Sequence, residues 1–173
     1  MADIWEKPYE KAFEVQNKPA AHGILNGIIY TPKKSYETIS NLAAIFGGDI
    51  SPTRTYIHID TTGESVTELL SCQTMTFCKN NTPVYAYYLP LQLGKEHNIT
   101  YTAQISVADS INDPILIDPY TGEVFDINSE NITGEVIENG ENFTGMTSYK
   151  NLPLNDYPLV LAERSAFDIL PLG

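Results

Sequence analysis

Apolar positions change their period once along this chain, close to residue 50. Over residues 31–46, Tyr36, Ile39, Leu42, Ala43 and Phe46 recur at three- and four-residue spacing, which predicts one amphipathic helix with those side chains on one face. Thr31 is placed to cap it, Pro32 stands at the first helical position where a missing N–H is harmless, and Gly47-Gly48 supplies a left-handed stop. Beyond Arg54 no second stretch reads as a good helix. The chain alternates instead: Arg54 to Asp60, Thr67 to Lys79, Pro83 to Leu91, Asn98 to Ala108, Pro114 to Asp118, Glu123 to Asn128, Ile132 to Glu138, Phe143 to Lys150 and Leu159 to Glu163 all read as strands. Asn80-Asn81 joins the clearest hairpin, and Pro119-Tyr120-Thr121-Gly122 marks a second tight turn.

Short strands at roughly 8–12-residue spacing with polar turns predict a mainly β chain. The expected architecture is a two-layer antiparallel β-sandwich, immunoglobulin-like or jelly-roll-like, preceded by the one helix. The domain division expected is 1–50 for an N-terminal segment carrying the helix and 51–173 for the sandwich. Before the helix, Trp5, Tyr9 and Phe13 recur every four residues, interrupted by Pro8, and form a candidate interface stripe.

Composition narrows the function classes. Lys and Arg total 10 against 22 Asp and Glu, a net charge of −12, so a phosphate backbone is repelled and nucleic acid is not an expected partner. No apolar run approaches the roughly 20 residues that span a bilayer, so no membrane is expected either, and residues 1–7 lack the layout of a signal peptide. Acidic residues are densest from Asp118 to Glu141, but none is spaced as in a calcium loop. Cys72 and Cys78, on a single strand, would stand about 20 Å apart, too far for a disulfide, and read as buried free thiols. His22, His58 and His97 fall in no metal or protease motif, and there is no nucleophile elbow or phosphate loop. No metal, cofactor or catalytic residue is expected in this chain. The carboxylates Glu123 and Asp126 are candidates for a glycosidase pair, which needs a separation of roughly 5–9.5 Å, but they fall on a turn and an exposed strand.

One cluster offers a binding chemistry. Tyr85, Tyr87 and Tyr88 lie on one strand, and flat aromatics on a sheet stack on sugar rings; packing inside the sandwich is the competing use of the same residues. The sequons Asn98-Ile99-Thr100 and Asn131-Ile132-Thr133 fit surface turns.

Six stretches carry a family resemblance. Gly23-Ile24-Leu25-Asn26, then Thr31-Pro32-Lys33-Lys34-Ser35-Tyr36 and Asn41-Leu42-Ala43-Ala44-Ile45-Phe46 resemble the end of the barrel domain in (β/α)-barrel glycoside hydrolases of the xylosidase and galactosidase kind. Thr82-Pro83-Val84-Tyr85-Ala86-Tyr87-Tyr88-Leu89-Pro90, Asp118-Pro119-Tyr120-Thr121-Gly122-Glu123-Val124-Phe125 and Leu152-Pro153-Leu154-Asn155-Asp156-Tyr157-Pro158-Leu159-Val160-Leu161 are similar to the C-terminal β-sandwich of such enzymes. In those barrels the catalytic carboxylates sit at the ends of earlier strands, so the resemblance carries no catalytic residue onto this chain. It implies a non-catalytic, stabilising accessory domain, whose partner is the catalytic barrel of the same polypeptide. The implied parent is bacterial, periplasmic or secreted. The alternatives are a carbohydrate-binding module using the three tyrosines and an adhesion-type interaction domain.

Overall fold

The structure is a computed structural model and describes residues 34–62, 72–90, 101–134, 136–138, 141–143 and 145–167. Its one α-helix among these residues, α1, spans Lys34–Phe46. The strands that follow are β1 (Ile50–Pro52), β2 (Ile57–Thr62), β3 (Gln73–Lys79), β4 (Thr82–Tyr88), β5 (Tyr101–Val107) and β6 (Pro114–Ile117). The remainder are β7 (Val124–Asp126), β8 (Ile132–Thr133), β9 (Val136–Glu138), β10 (Glu141–Phe143), β11 (Thr147–Leu154) and β12 (Leu159–Glu163). The chain is therefore mainly β, with a sandwich-like pair of antiparallel sheets following a helix.

Six strands form one sheet in the order β1-β3-β4-β12-β6-β7, and four form the other in the order β2-β5-β11-β8. β9 and β10 make a separate hairpin. The β3–β4 hairpin turns on Asn80 and Asn81, both left-handed with φ of 51° and 62°. Consecutive positive φ values define the turn whose twist matches paired strands, and asparagine tolerates them better than other side chains with a Cβ.

The core lies between the sheets. Tyr85, Tyr87, Leu116, Leu159 and Leu161 face it from the first sheet, and Ala103, Ile105, Val107, Tyr149, Leu152 and Leu154 face it from the second. The opposite face of β4, β12 and β6, presenting Val84, Ala86, Val160, Ala162, Ile115 and Ile117, is also buried. Burial on both faces explains why these strands read as nearly unbroken apolar runs rather than as clean alternation.

The chain divides into two compact units, one holding residues 1–47 and 119–122 and the other 48–118 and 123–173. Two features depart from the sequence-based boundary at residue 50. Ile50 already pairs with Lys79, so the sheet begins there, in a strand too short to show a period. The turn Pro119–Gly122 groups with the helix, where Asn41 Nδ2 donates to the Pro119 carbonyl at 3.0 Å.

The helix is where the pattern predicts, but it buries a different face. Ser35 and Ile45 are buried and Thr38, Asn41 and Leu42 half-buried, whereas Tyr36, Ile39 and Ala43 are exposed. The buried stripe also has helical spacing, one step round from the apolar one, and includes polar members that periodicity alone does not select. Thr31 and Pro32, the expected start, lie outside the described residues. Other strands are shorter than predicted or split: Ile132 to Glu138 becomes β8 and β9, and Phe143 to Lys150 divides between β10 and β11.

Candidate binding cleft at the sandwich edge

β7 is the edge strand of the six-stranded sheet and β8 that of the four-stranded one. β7 pairs with β6 in a register that sets Phe125 opposite Leu116. Directly paired residues share a sheet face, so Phe125 sits on the same side as the core residue Leu116. It is nevertheless 48% exposed. It lines a cleft of about 320 Å3.

Buried Leu116, Leu152 and Leu159 give the cleft an apolar floor. Four carboxamides, Asn128, Asn131, Asn151 and Asn155, surround it, together with Asp118 and Asp126. A β-bulge places one of these amides. The β11–β5 register slips between Tyr149 and Leu152, and Asn151 takes a left-handed φ of 58°. A bulge re-aims a side chain that an unbroken strand would point elsewhere. Asn151 Nδ2 then donates to Asn131 Oδ1 at 3.1 Å, joining the bulge to the 3-10 turn Ser129–Asn131. Asn128 precedes that turn and its side chain does not cap it. Tyr157 donates its hydroxyl to Asp118 at 3.0 Å. Burial first, and that bond second, push Tyr157 up to about 12.

Beside the cleft, Arg164 ties the edge together. Its Nε donates to Asp113 at 2.8 Å, and its other guanidinium nitrogen pairs with Asp126. These hydrogen bonds hold the guanidinium above the usual arginine range. Glu163 is buried, and its carboxylate accepts the N–H groups of Asn112 at 2.8 Å and Asp113 at 3.2 Å. This satisfies the buried charge and latches the β5–β6 connection to the end of β12.

The residues singled out from the sequence are dispersed. Tyr85 and Tyr87 have no exposed surface and belong to the core, so neither offers a ring face to a sugar; Tyr88 is half-buried. Tyr87 instead donates to the Pro153 carbonyl at 3.1 Å, bridging the sheets, and Tyr85 donates to Asp109 at 3.3 Å. β4 is a central strand, which alternation of residue types does not reveal. Trp5, Tyr9 and Phe13, like His22 and His97, lie outside the described residues. His58 stacks on Tyr56 at 6.4 Å between centroids and contacts Asp60 at 3.1 Å on the surface of β2. Glu123 and Asp126 are exposed, and Asp126 is engaged by Arg164. Cys72 and Cys78 are free and half-buried rather than fully buried, and burial raises the Cys72 thiol.

Asn128, Asn131, Asn151 and Asn155 escaped sequence reading because they come from three separate segments. The one local signal was turn chemistry: asparagine is the non-glycine residue best suited to the left-handed conformation that Asn151 adopts. Among the described residues no three metal-ligating side chains cluster, and no helix is long and apolar enough to cross a membrane. The fold and cleft thus define the class of the described part, a mainly β, sandwich-like domain with an amide-lined edge cleft. Neither a protein-family model, nor a curated protein, nor a solved structure matches the chain.

Proposed function

We propose that this chain is a non-catalytic β-sandwich accessory domain of a carbohydrate-active glycoside hydrolase, and that it stabilises a catalytic barrel in the same polypeptide. One observation carries the reading. The α-helix falls outside the compact sandwich unit, and part of its apolar stripe is exposed, Tyr36 to 40% and Ile39 to 41%. Large apolar side chains aligned on an exposed helix face mark a surface built for a neighbour. The resemblance of residues 23–46 to the last barrel segment gives that neighbour its identity.

The full reading frame provides the test. A barrel of about 250 residues is expected ahead of this chain, and deleting residues 48–173 is expected to lower that enzyme's melting temperature. A reading frame without a barrel overturns the proposal. So does hydrolysis of chromogenic glycosides by this chain alone.

A further inference from the structure

We infer that the edge cleft is a binding site for a single neutral sugar unit, with Phe125 as the stacking surface and Asn128 and Asn151 as principal hydrogen-bonding groups. The inference rests on the cleft alone and does not depend on the proposed barrel.

Volume sets the scale. At about 320 Å3 the cleft lies at the small end of the roughly 300–1,000 Å3 typical of small-molecule sites, which suits one ring or a chain end rather than a stretch of polymer. Its floor is apolar and its walls carry a few convergent polar groups, the composition such sites share.

The polar groups select the ligand class. A carboxamide carries both an acceptor oxygen and two donor hydrogens, so it matches a hydroxyl, which also both donates and accepts. Asn131 accepts from Asn151 and Asn155 is engaged by Tyr157, which leaves Asn128 and the remaining donor and acceptor capacity of Asn151 to meet a hydroxylated ligand. Asp118 and Asp126 border the same space, and the chain as a whole carries a charge of −12. Anionic ligands are therefore opposed. The neighbouring cation, Arg164, is already bound by Asp113 and Asp126.

Phe125 supplies the apolar half of the recognition. Its register with Leu116 puts it on the core-facing side of an edge strand, where about half of it remains exposed. A phenyl ring held at the mouth of a cleft offers its π face to the C–H face of a sugar, while the amides meet the ring's hydroxyls. One of the two principal amides is fixed before ligand arrives. Asn151 is held by the bulge and by its bond to Asn131, and the backbone of Asn128 leads directly into the 3-10 turn. Pre-fixing that amide limits the ordering cost of binding a small, weakly held ligand.

The test uses the full chain labelled with nitrogen-15. Methyl β-D-xylopyranoside, methyl β-D-galactopyranoside and methyl β-D-glucopyranoside are titrated separately, with n-butylammonium chloride as a cationic control. With at least one glycoside, the side-chain amide signals of Asn128 and Asn151 are expected to shift along a saturable isotherm in the millimolar range. Phe125→Ala and Asn128→Ala are each expected to weaken that binding about tenfold while the remaining spectrum stays folded. Absence of saturable shifts with all three glycosides overturns the inference, as do shifts that survive both substitutions. Saturation by butylammonium in place of the glycosides overturns it too, and makes the cleft a cation site of Asp118 and Asp126. None of these outcomes touches the barrel proposal, which is decided by the reading frame and the deletion.

Discussion

Tyr87 and Phe125 lie on the same face of one sheet and differ sharply in burial. Both face the core side, Tyr87 opposite Leu159 on β12 and Phe125 opposite Leu116 on β6. Tyr87 is completely buried, and its hydroxyl reaches across to the Pro153 carbonyl of the other sheet. Phe125 stands on an edge strand and is half exposed. The residue type and the sheet face are nearly the same; what differs is the place of the strand, central for Tyr87 and at the edge for Phe125. In a sandwich, an aromatic at the centre makes the core, and one on an edge strand makes a surface that a ligand can use.

The largest test of this contrast is truncation at both positions. Tyr87→Ala is expected to cost about 3–5 kcal/mol in urea unfolding, because it leaves a cavity and strands the Pro153 carbonyl. Phe125→Ala is expected to change stability by no more than about 0.5 kcal/mol, as surface substitutions usually do. Equal losses at the two sites would erase the distinction between centre and edge.

Glu163 sharpens the same comparison at the border between the regions. Its carboxylate is buried by the sandwich but serves the β5–β6 connection through the N–H groups of Asn112 and Asp113. Glu163→Ala is expected to cost roughly 2–3 kcal/mol, the range for hydrogen bonds to a charged group plus two abandoned donors. A loss under half of that would mean that the latch contributes little.

A gentler effect comes from alkaline titration, which acts on the tyrosines of the centre and on Tyr157 beside the cleft. Burial raises the hydroxyls of Tyr85, Tyr87 and Tyr149 above the usual value of 10, and Tyr149 is pushed up to about 12, with the nearby Glu163 charge adding to the effect. A raised folded pKa means that the native state holds these protons after the unfolded state has released them. The corresponding stability is complete below pH 10 and declines as pH rises from about 10 toward 12 and beyond. Unfolding free energy measured across that window is expected to fall, and to fall less steeply in Tyr149→Phe. A flat profile would contradict the burial of these hydroxyls.

Much of the fold was legible in residue pattern. The helix at residues 34–46, the β3–β4 hairpin and β12 lie where periodicity and turn chemistry put them, because each is set by local rules: helical spacing, a paired left-handed turn, a short apolar run. β1 was not legible. It is three residues long, contains Pro52, and exists because β3 offers it an edge. The buried side of the helix was misread for a related reason, since Ser35 and Thr38 take inward positions that hydrophobicity assigns to Tyr36 and Ile39. The cleft was least legible of all. Its amides converge from the segments around 128–131, 151 and 155, and nothing in any one of them signals the others.

By itself the sequence determined where the chain turns, which stretches pair as hairpins, and that the whole is mainly β, because those outcomes follow from φ preferences and from neighbours a few residues away. Only the tertiary structure decided which strands sit at the centre and which at an edge, and hence whether an aromatic becomes core or contact surface. Strand order is fixed by pairings between residues far apart in the chain, such as β4 with β12 and β5 with β11. Exposure is a property of what those pairings leave uncovered.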